Sequence, residues 1–583
     1  MTAKDIDPIT FEVVRNGLDL LVDEMALTVM RTAHSGIVKD AMDYSTAFCD
    51  LQGRVVAQGL TILMHLGSFP DAVASVLSKY EGRITPGDIF ILNDPYSSGG
   101  IHLPDIYVIK PIFIDDDLEG FAGVVAHHTD VGGIVPGSNS TDSTEIYQEG
   151  LRIPTLKLYE AGTPNETLFA VIQKNVRLPL LVMGDLRAQV AAVHTGERQF
   201  LSLAGKYGAA ALRRYMDALL DYTENLARKE IADLPNGTFE ATGYIDADNI
   251  DAGPVVIQVS MTISGEKVTV DLTGSSPQVK AGINSPLPFT KAAVYGAIRL
   301  VMDPGIPNSA GYTRLIEVNA PEASVVHPRL PAPCGARGIT GFRVMDTVMA
   351  ALAQAVPERT PADGDGGNTI VSIGGYDDDL NAFAFVDLFA GARGGRPLGD
   401  GPEGVAHPAA NISNTPVEIA EVELPVRIEE YGILQDTGGA GKYRGALAQV
   451  RRVRSLAGEA TLQLRSDKRR FPPYGLQGGE PGQGSWNILN PGESETVLTT
   501  LGTATMMRDD VILHTTASGG GWGDPLDRDP ALVLSDVHEE KVSPTHAREA
   551  YGIVLYDEAT RIDTTATEQL RLSMRSKRGD GTR

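Results

Sequence analysis

The chain has 583 residues and a formal net charge of −25, with 42% hydrophobic and 21% charged residues. This length exceeds what one hydrophobic core supports, so we expect several packed modules, and the ordinary composition argues against disorder. The acidic balance disfavours nucleic acid and anionic membrane surfaces as partners, because it repels phosphate groups.

The sequence shows no signal for secretion or membrane insertion. Its start, "MTAKDIDPITFEVV", lacks a basic region followed by an apolar one. No apolar run reaches the roughly 18 residues that a membrane-spanning helix needs. Cys49 and Cys334 are too few for a disulfide framework. We therefore expect a cytoplasmic globular protein.

The N-terminal part, residues 1–180, is predicted to be α/β. Asp7 and Pro8 have the pattern of a helix N-cap and first turn, and apolar residues at three- and four-residue spacing predict a helix to about Arg31. Runs rich in β-branched and aromatic residues then predict short strands separated by turns. These runs are "STAFCD", "RVVAQG", "DIFILND", "IYVIKPIFI" and "FAGVVAHH".

The remainder is predicted as three further parts, which makes the fold mixed α and β and multi-modular. Residues 181–416 are predicted to be helical to about Leu234, with a break near Gly205 to Gly208, and α+β thereafter. This α+β region holds a strand pair turned at Ser264 and Gly265, and the helices "FTKAAVYGAIRLVM" and "GFRVMDTVMAALAQAV". Residues 417–525 are predicted to be mostly β, and 526–583 a helical tail.

Two glycine-flanked clusters of His and Asp stand out in this histidine-poor chain. "GGIHLPD" contains His102 and Asp105, and "AHHTDVGG" contains His127, His128 and Asp130, so three of the 11 histidines fall in one short stretch. Imidazole nitrogens and carboxylate oxygens are ligands for divalent metals. Successive residues of a strand point to opposite faces, so only one of the paired histidines should reach a given ion. From the residues alone, a metal site and structural hydrogen bonding both remain open.

The chain contains no recognisable nucleotide-binding motif. "GGAGKYR" departs from the phosphate-loop pattern at Asp436, where glycine is required, and at Tyr443, where Ser or Thr is required. "SGGGWGDP" does not fit a dinucleotide fingerprint between a strand and a helix. We therefore expect this chain not to bind ATP.

Six motifs in order resemble the hydantoinase B/oxoprolinase family. They are "LNDPYSSGGIHLPD", "AHHTDVGGIVPGS", "EIYQEGLRIP", "DLRAQVAA", "YGILQDTGGAGKYRG" and "SGGGWGDPLDRDP", and the match runs from about Asp7 to about Tyr551. The resemblance implies that a hydantoinase A-type partner binds ATP and phosphorylates a carbonyl oxygen of the substrate. The B-type subunit would hold a metal and complete the reaction, in which water opens a cyclic amide.

The resemblance also implies a set of site residues. The metal ligands would be Asp43, His102, Asp105 and His127, with Asp40 in reserve because the family more often has glutamate there. Tyr44 replaces the commoner phenylalanine of the family. Zinc is the first expectation for the metal and manganese the second, since mixed nitrogen and oxygen ligation suits both.

Further residues are expected near the reaction. His128, Asp130 and Arg187 are candidate catalytic residues, and Glu145, Glu149 and Arg152 are candidate substrate-binding residues, although structural salt bridges account for the last three equally well.

The leading hypothesis is the B-type subunit of an ATP-dependent cyclic-amide hydrolase acting on a hydantoin, oxoproline or lactam. We expect it to assemble with an A-type partner as a heterotetramer of two plus two. One alternative is the corresponding subunit of an acetone- or acetophenone-type ketone carboxylase. Another is a non-catalytic scaffold with a structural metal.

Overall fold

The computed structural model describes residues 6–59, 62–247, 253–367, 369–492, 494–556 and 559–580, and it has the mixed α and β architecture that the sequence predicts. The first sheet has seven strands in the order β2-β1-β5-β4-β3-β6-β7, and every neighbouring pair is antiparallel. Its strands are β1 (Tyr44–Cys49), β2 (Val55–Gln58), β3 (Ile89–Leu92), β4 (Asp105–Ile114), β5 (Asp117–His127), β6 (Leu156–Glu160) and β7 (Thr163–Pro164).

Seven helices accompany this sheet in the described chain. They are α1 (Pro8–Thr32), α2 (Gly36–Lys39), α3 (Leu63–Leu66), α4 (Phe69–Lys79), α5 (Glu166–Asn175), α6 (Pro179–Tyr207) and α7 (Ala209–Ala232). Helix α1 confirms its prediction: the Asp7 side chain accepts a hydrogen bond from Thr10 N at 2.8 Å. The predicted helix break falls at Gly208, whose φ of 83° suits glycine.

The middle of the chain forms a second sheet in the order β11-β10-β9-β8. Its strands are β8 (Gly237–Ile245), β9 (Val255–Ser264), β10 (Lys267–Asp271) and β11 (Ile316–Asn319). The helices of this region are α8 (Leu287–Leu300), α9 (Ala310–Thr313) and α10 (Gly338–Ala355). The predicted strand pair and both predicted helices are present, whereas β8 was not predicted. Helix α10 packs against α8 and covers β8 and β9.

Two further sheets follow, in the orders β13-β12-β16-β19 and β14-β15-β20-β17-β18. Their strands are β12 (Thr369–Tyr376), β13 (Ala382–Phe389), β14 (Val426–Ile433), β15 (Gln449–Ser455), β16 (Glu459–Arg465), β17 (Trp486–Leu489), β18 (Thr496–Val497), β19 (Leu501–Met507) and β20 (Val511–Thr515). Helix α11 (Val417–Glu423) lies in the part predicted to be mostly β. The first of these two sheets joins strands from both sides of the predicted boundary at residue 416.

The end of the described chain is mainly helical, as predicted. It contains α12 (Pro530–His538), α13 (Pro544–Tyr551), β21 (Leu555–Tyr556), β22 (Arg561–Ile562) and α14 (Thr564–Asp580). Within the ranges described, we find no helix with both the length and the apolar character that crossing a bilayer requires.

One large hydrophobic core joins the first two sheets. It contains buried side chains from α1, the seven-stranded sheet, α6, the second sheet, α8 and α10. A second core lies between the two later sheets and includes Val371, Leu462 and Ile512. The sheet β13-β12-β16-β19 also meets the large core through Leu388 and Leu501. The candidate site described below lies where this sheet meets the large core.

Candidate metal centre

Three neighbouring strands of the first sheet end at the same edge and bring the predicted metal ligands together. Asp105 begins β4 and His127 ends β5, and the two residues are directly opposite in the ladder. Asp43 immediately precedes β1, and its carbonyl accepts a hydrogen bond from His127 N at 2.9 Å. His102 lies in the loop before β4. This loop turns at Gly99, whose φ is 76° and where a Cβ would lie 2.5 Å from the backbone of Asp71.

The carboxylate of Asp105 is at the centre of this group. Its Oδ2 lies 3.2 Å from His102 Nε2 and 3.5 Å from His65 Nε2, and its Oδ1 lies 3.3 Å from His127 Nδ1. His127 Nδ1 is also 3.8 Å from Asp43 Oδ2. All five side chains are buried. We call these five residues, Asp43, His65, His102, Asp105 and His127, the His/Asp cluster.

Hydrogen bonds to Nδ1 orient two of the histidines so that Nε2 faces the cluster, as binding of a metal through Nε2 requires. His102 Nδ1 donates to the Gly335 carbonyl at 2.9 Å, so its lone pair is on Nε2, facing Asp105. Burial, followed by the nearby Arg337 cation, lowers the pKa of His102 to about 3 and keeps the ring neutral. Ser45 Oγ donates to the Ile62 carbonyl and accepts from His65 Nδ1 at 2.9 Å, so in a neutral His65 ring the lone pair is on Nε2, which faces Asp105.

His127 is held differently. Asn139 Nδ2 donates to His127 Nε2 at 3.1 Å, which places the proton of a neutral ring on Nδ1, facing the two carboxylates. As a metal ligand through Nδ1, His127 would have to carry its proton on Nε2 instead. The position of His127 suits a metal ligand. Its hydrogen bond with Asn139, however, favours the tautomer that has the proton on Nδ1 and the lone pair on Nε2.

The two carboxylates differ in their electrostatic surroundings. Burial opposes ionisation of Asp105, but the His102 imidazole and the Arg337 guanidinium hold the pKa of its carboxyl well below the usual range. Arg337 Nη2 pairs directly with Asp105 Oδ2. Burial raises the pKa of Asp43, against the lowering effect of His127.

The residues of the cluster fit a divalent cation. Potential ligand atoms of His102, Asp105 and His127 lie within 4.8 Å of one another, as do those of Asp43, His65 and Asp105. The buried atoms His102 Nε2 and Asp105 Oδ1 have no hydrogen-bond partner, which costs free energy unless a ligand satisfies them. Imidazole nitrogens and carboxylate oxygens together suit zinc and manganese.

A narrow cavity of about 60 Å³ lies beside the cluster. Four cluster residues line it, all except Asp105, together with side chains of α10 and of the sheet β13-β12-β16-β19. The polar lining beyond the cluster is Asn139, Arg337 and Arg465, and Phe289 and Phe342 are among the apolar residues. The cavity therefore combines buried polar groups with apolar walls, as small-molecule sites do.

Glu149, a predicted substrate-binding residue, supports the loop beside His102. Its buried carboxyl accepts hydrogen bonds from Cys334 N at 2.9 Å and Gly335 N at 2.7 Å, and the Gly335 carbonyl in turn accepts from His102. Burial raises the pKa of Glu149 to about 8, against the lowering effect of these backbone N–H groups. Glu149 thus orients the His102 imidazole through the intervening loop.

We expect Glu149→Gln to change how stability depends on pH. The folded-state pKa is raised from 4.5 to about 8, so this group's contribution to stability is complete below about pH 4.5 and is lost as the pH rises to about 8. Glutamine keeps an acceptor for the two N–H groups and does not titrate. The variant should therefore gain stability relative to the native chain between pH 5 and pH 9, measured as the difference in thermal unfolding midpoints. If the difference between the two unfolding midpoints stays constant across that pH range, the pKa of Glu149 is not raised in the folded chain.

Two predicted catalytic residues lie outside the cavity. His128 points from the other face of β5 toward α6, where its Nε2 donates to Gln189 Oε1 at 3.0 Å. Asp130 accepts hydrogen bonds from Gly132 N, Gly137 N and Arg177, so it organises the loop that follows β5. The structure gives neither side chain a contact with the cavity.

The other predicted residues are not among those that line the cavity. Arg187 is exposed on α6, and Glu145 is exposed as the N-cap of a 3₁₀ helix at Ile146–Gln148. Arg152 stacks over the Tyr147 ring at 4.9 Å, and its Nε lies 3.7 Å from an oxygen of Asp94. Asp40, the reserve ligand, caps the end of α2 and does not line the cavity.

Sequence reasoning missed three residues of this site. His65 lies in the four-residue helix α3, Arg337 at the start of α10 and Arg465 at the end of β16. None has a chemistry-bearing neighbour at a recognisable spacing in the sequence. They join the site only through tertiary packing.

Comparisons with known proteins assign this chain to one family. The family model described as Hydantoinase B/oxoprolinase matches residues 7–525. An uncharacterized protein of Methanocaldococcus jannaschii is 36% identical and aligns with 97% of this chain and 100% of its own length. The caprolactamase subunit beta of Pseudomonas jessenii is 31% identical over 96% of this chain and 98% of its own.

Two solved structures share the fold. The crystal structure of the ATP-dependent caprolactamase from Pseudomonas jessenii superposes with a TM-score of 0.89 at 30% identity, covering 97% of this chain and 100% of that chain. A nucleotide-free structure of acetone carboxylase also gives a TM-score of 0.89, covering 100% of this chain and 84% of that chain. At 20% identity, this second match shows the fold alone.

Proposed function

Since the chain belongs to the hydantoinase B/oxoprolinase family, we propose that it is the B-type, hydrolytic subunit of an ATP-dependent cyclic-amide hydrolase. Its substrate class is a hydantoin, oxoproline or lactam whose carbonyl oxygen has been phosphorylated by an A-type partner. Similarity to the caprolactamase subunit beta over nearly the whole length of both chains supports a hydrolase. We propose two copies of each subunit in the assembly.

The single observation that carries this proposal is the buried His/Asp cluster beside a cavity. Three imidazoles and two carboxylates converge there, and two of their atoms lack any hydrogen-bond partner. Imidazole nitrogens and carboxylate oxygens within reach of one another are the ligand types that divalent metals bind. We propose Asp43, His102, Asp105 and His127 as ligands of a divalent cation, zinc or manganese, with His65 as an additional candidate.

The geometry suggests a role for each part of the site. A bound divalent cation supplies positive charge that stabilises negative charge developing on oxygen in the reaction. The Nε2 atoms of His102 and His65 lie 3.2 Å and 3.5 Å from the same oxygen of Asp105. Glu149 fixes the loop at Gly335 and thereby the His102 ring. Phe289 and Phe342 on the cavity wall limit access of water to the site.

The partner is required by the proposed chemistry. Resonance between nitrogen and carbonyl protects an amide from hydrolysis, and phosphorylation of the carbonyl oxygen removes that protection and creates a leaving group. The chain itself has no phosphate loop, because Asp436 and Tyr443 depart from the pattern.

Reconstitution with the A-type partner tests the proposal. The complex should convert cyclic amides to ring-opened acids with consumption of ATP, and bicarbonate should not be required. The chain alone should give no ATP-dependent turnover. Product and ADP are quantified together over a panel of hydantoins, oxoproline and lactams.

Two results would contradict the proposal. Product formation that requires bicarbonate and a ketone would assign the complex to the ketone carboxylases. ATP hydrolysis coupled to ring opening by this chain alone would show that the expected division of labour is wrong.

A further inference from the structure

Arg465 is the exception among the buried arginines of this protein. Six arginines are buried in the described ranges. Five of them pair with a carboxylate: Arg337 with Asp105, Arg343 with Asp467, Arg444 with Glu403, Arg451 with Asp387 and Arg528 with Asp400. Arg465 is only 3% exposed, yet no carboxylate of the described residues lies within 4.0 Å of it.

The hydrogen bonds of Arg465 do not replace that missing charge. Its Nη2 donates to Ser372 Oγ at 3.0 Å, and its buried Nε has no partner. Burial, and then the neighbouring Arg337 cation, lowers the pKa of Arg465 to about 9, so the guanidinium remains charged at neutral pH. An uncompensated buried cation is costly, so an anionic ligand that paired with Arg465 would relieve that cost.

The position of Arg465 shows where such a ligand would bind. It is the last residue of β16, opposite Ile370, and both side chains line the cavity beside the His/Asp cluster. Arg337 lines the same cavity and also has a buried Nε without a partner. Two arginine side chains, one of them without a carboxylate partner, therefore line a space that the cluster also borders.

We propose that Arg465, together with Arg337, forms an anion-binding site for the phosphoryl group of the substrate. The planar fork of N–H donors in arginine matches the oxygens of phosphate, whereas a point charge does not. Binding the phosphoryl group here positions the carbon that bears the phosphorylated oxygen at the His/Asp cluster. The identity of the ligand rests on the proposed function, whereas anion binding at Arg465 does not.

Binding of inorganic phosphate to the full-length, metal-loaded chain tests this site. Titration calorimetry and thermal unfolding are run in phosphate-free buffer, with phosphate or bicarbonate added. The native chain should bind phosphate and unfold at a higher temperature in its presence. Arg465→Met should weaken phosphate binding about ten- to a hundredfold, as expected for charge-assisted hydrogen bonds.

Thermal unfolding without phosphate is a second measurement, and it distinguishes an arginine that binds an anion from one that only stabilises the fold. Without phosphate, Arg465→Met should unfold at the same or a higher temperature than the native chain, because it removes an uncompensated buried charge. Arg508→Met is the matched control: it removes one positive charge just after β19 of the same sheet, at an exposed ion pair with Asp378. This control should leave phosphate affinity unchanged. Arg465→Gln, a smaller polar replacement, serves the same test if the methionine variant does not fold.

Several outcomes would overturn the proposal. One is a native chain that does not bind phosphate, and another is phosphate affinity that is unchanged in the folded Arg465 variant. Arg465-dependent binding of bicarbonate without binding of phosphate would overturn the phosphoryl assignment. Since these measurements need neither ATP nor the partner, Arg465-dependent phosphate binding with no ring opening in the complex would contradict the proposed function alone.

Discussion

His102→Ala and His127→Ala are each expected to lose most of the bound metal and nearly all ring opening. The two residues come from different segments, the loop before β4 and the end of β5, and both face Asp105. Removal of a group that merely hydrogen-bonds a metal ligand costs about ten- to a hundredfold in affinity or activity, so loss of a ligand should cost at least about a hundredfold. Metal content is measured by elemental analysis, and product and ADP are measured per turnover in the reconstituted complex.

His128→Ala is the matched control for these two variants. His128 is equally buried and adjacent in sequence, but it bonds Gln189 on the opposite face of β5. This variant should lose some stability and keep its metal. Full metal occupancy in both His102→Ala and His127→Ala would contradict the proposal that these two histidines bind the metal. Metal loss in His128→Ala that matches the other two would show that the measurement reports general unfolding.

Asp105→Asn is expected to produce the largest loss of stability. Asp105 is fully buried and pairs with Arg337 while approaching three histidines. Neutralising it leaves the buried Arg337 guanidinium uncompensated, and breaking a buried pair in this way costs about 3–5 kcal/mol. The double variant Asp105→Asn/Arg337→Met removes both charges and should recover most of that loss.

A double-mutant cycle in metal-free, phosphate-free buffer measures this coupling. It needs the native chain, the two single variants and the double variant, each followed by thermal unfolding. We expect the double variant to lose clearly less stability than the two single variants lose when their losses are added. Additive effects would show that Asp105 and Arg337 do not stabilise each other in the folded chain.

Local pattern was enough to predict much of the fold, whereas the grouping of Asp43, His102, Asp105 and His127 in one site came from the resemblance to the family. The N-cap at Asp7, the apolar spacing along α1 and the β-branched runs of β1 to β5 each follow from neighbouring residues. The structure pairs β4 with β5 through a turn at Asp115 and Asp116, and this pairing places Asp105 opposite His127. The alternation of a strand likewise separates His127 from His128.

What the sequence did not predict depends on contacts between distant segments. His65 sits in a single helical turn with no ligand-like neighbour, and Arg337 and Arg465 reach the cavity from α10 and from another sheet. Strand β8 also escaped prediction, because its residues alternate between exposed and half-buried positions and carry no strong apolar pattern. Loop residues such as Asp130 look like catalytic groups in sequence, yet their backbone hydrogen bonds give them a structural role.

The residues that line the cavity are far apart in the sequence, and this separation determines when the cavity can form during synthesis. Asp43 and Arg465 both line the cavity, although about 420 residues separate them in the sequence. At roughly 5–20 residues per second, the ribosome needs on the order of 20–80 s to make the intervening chain. During that interval the part of the cavity wall that includes Arg465 has not yet been made. The complete pocket can therefore form only after most of the chain has been synthesised.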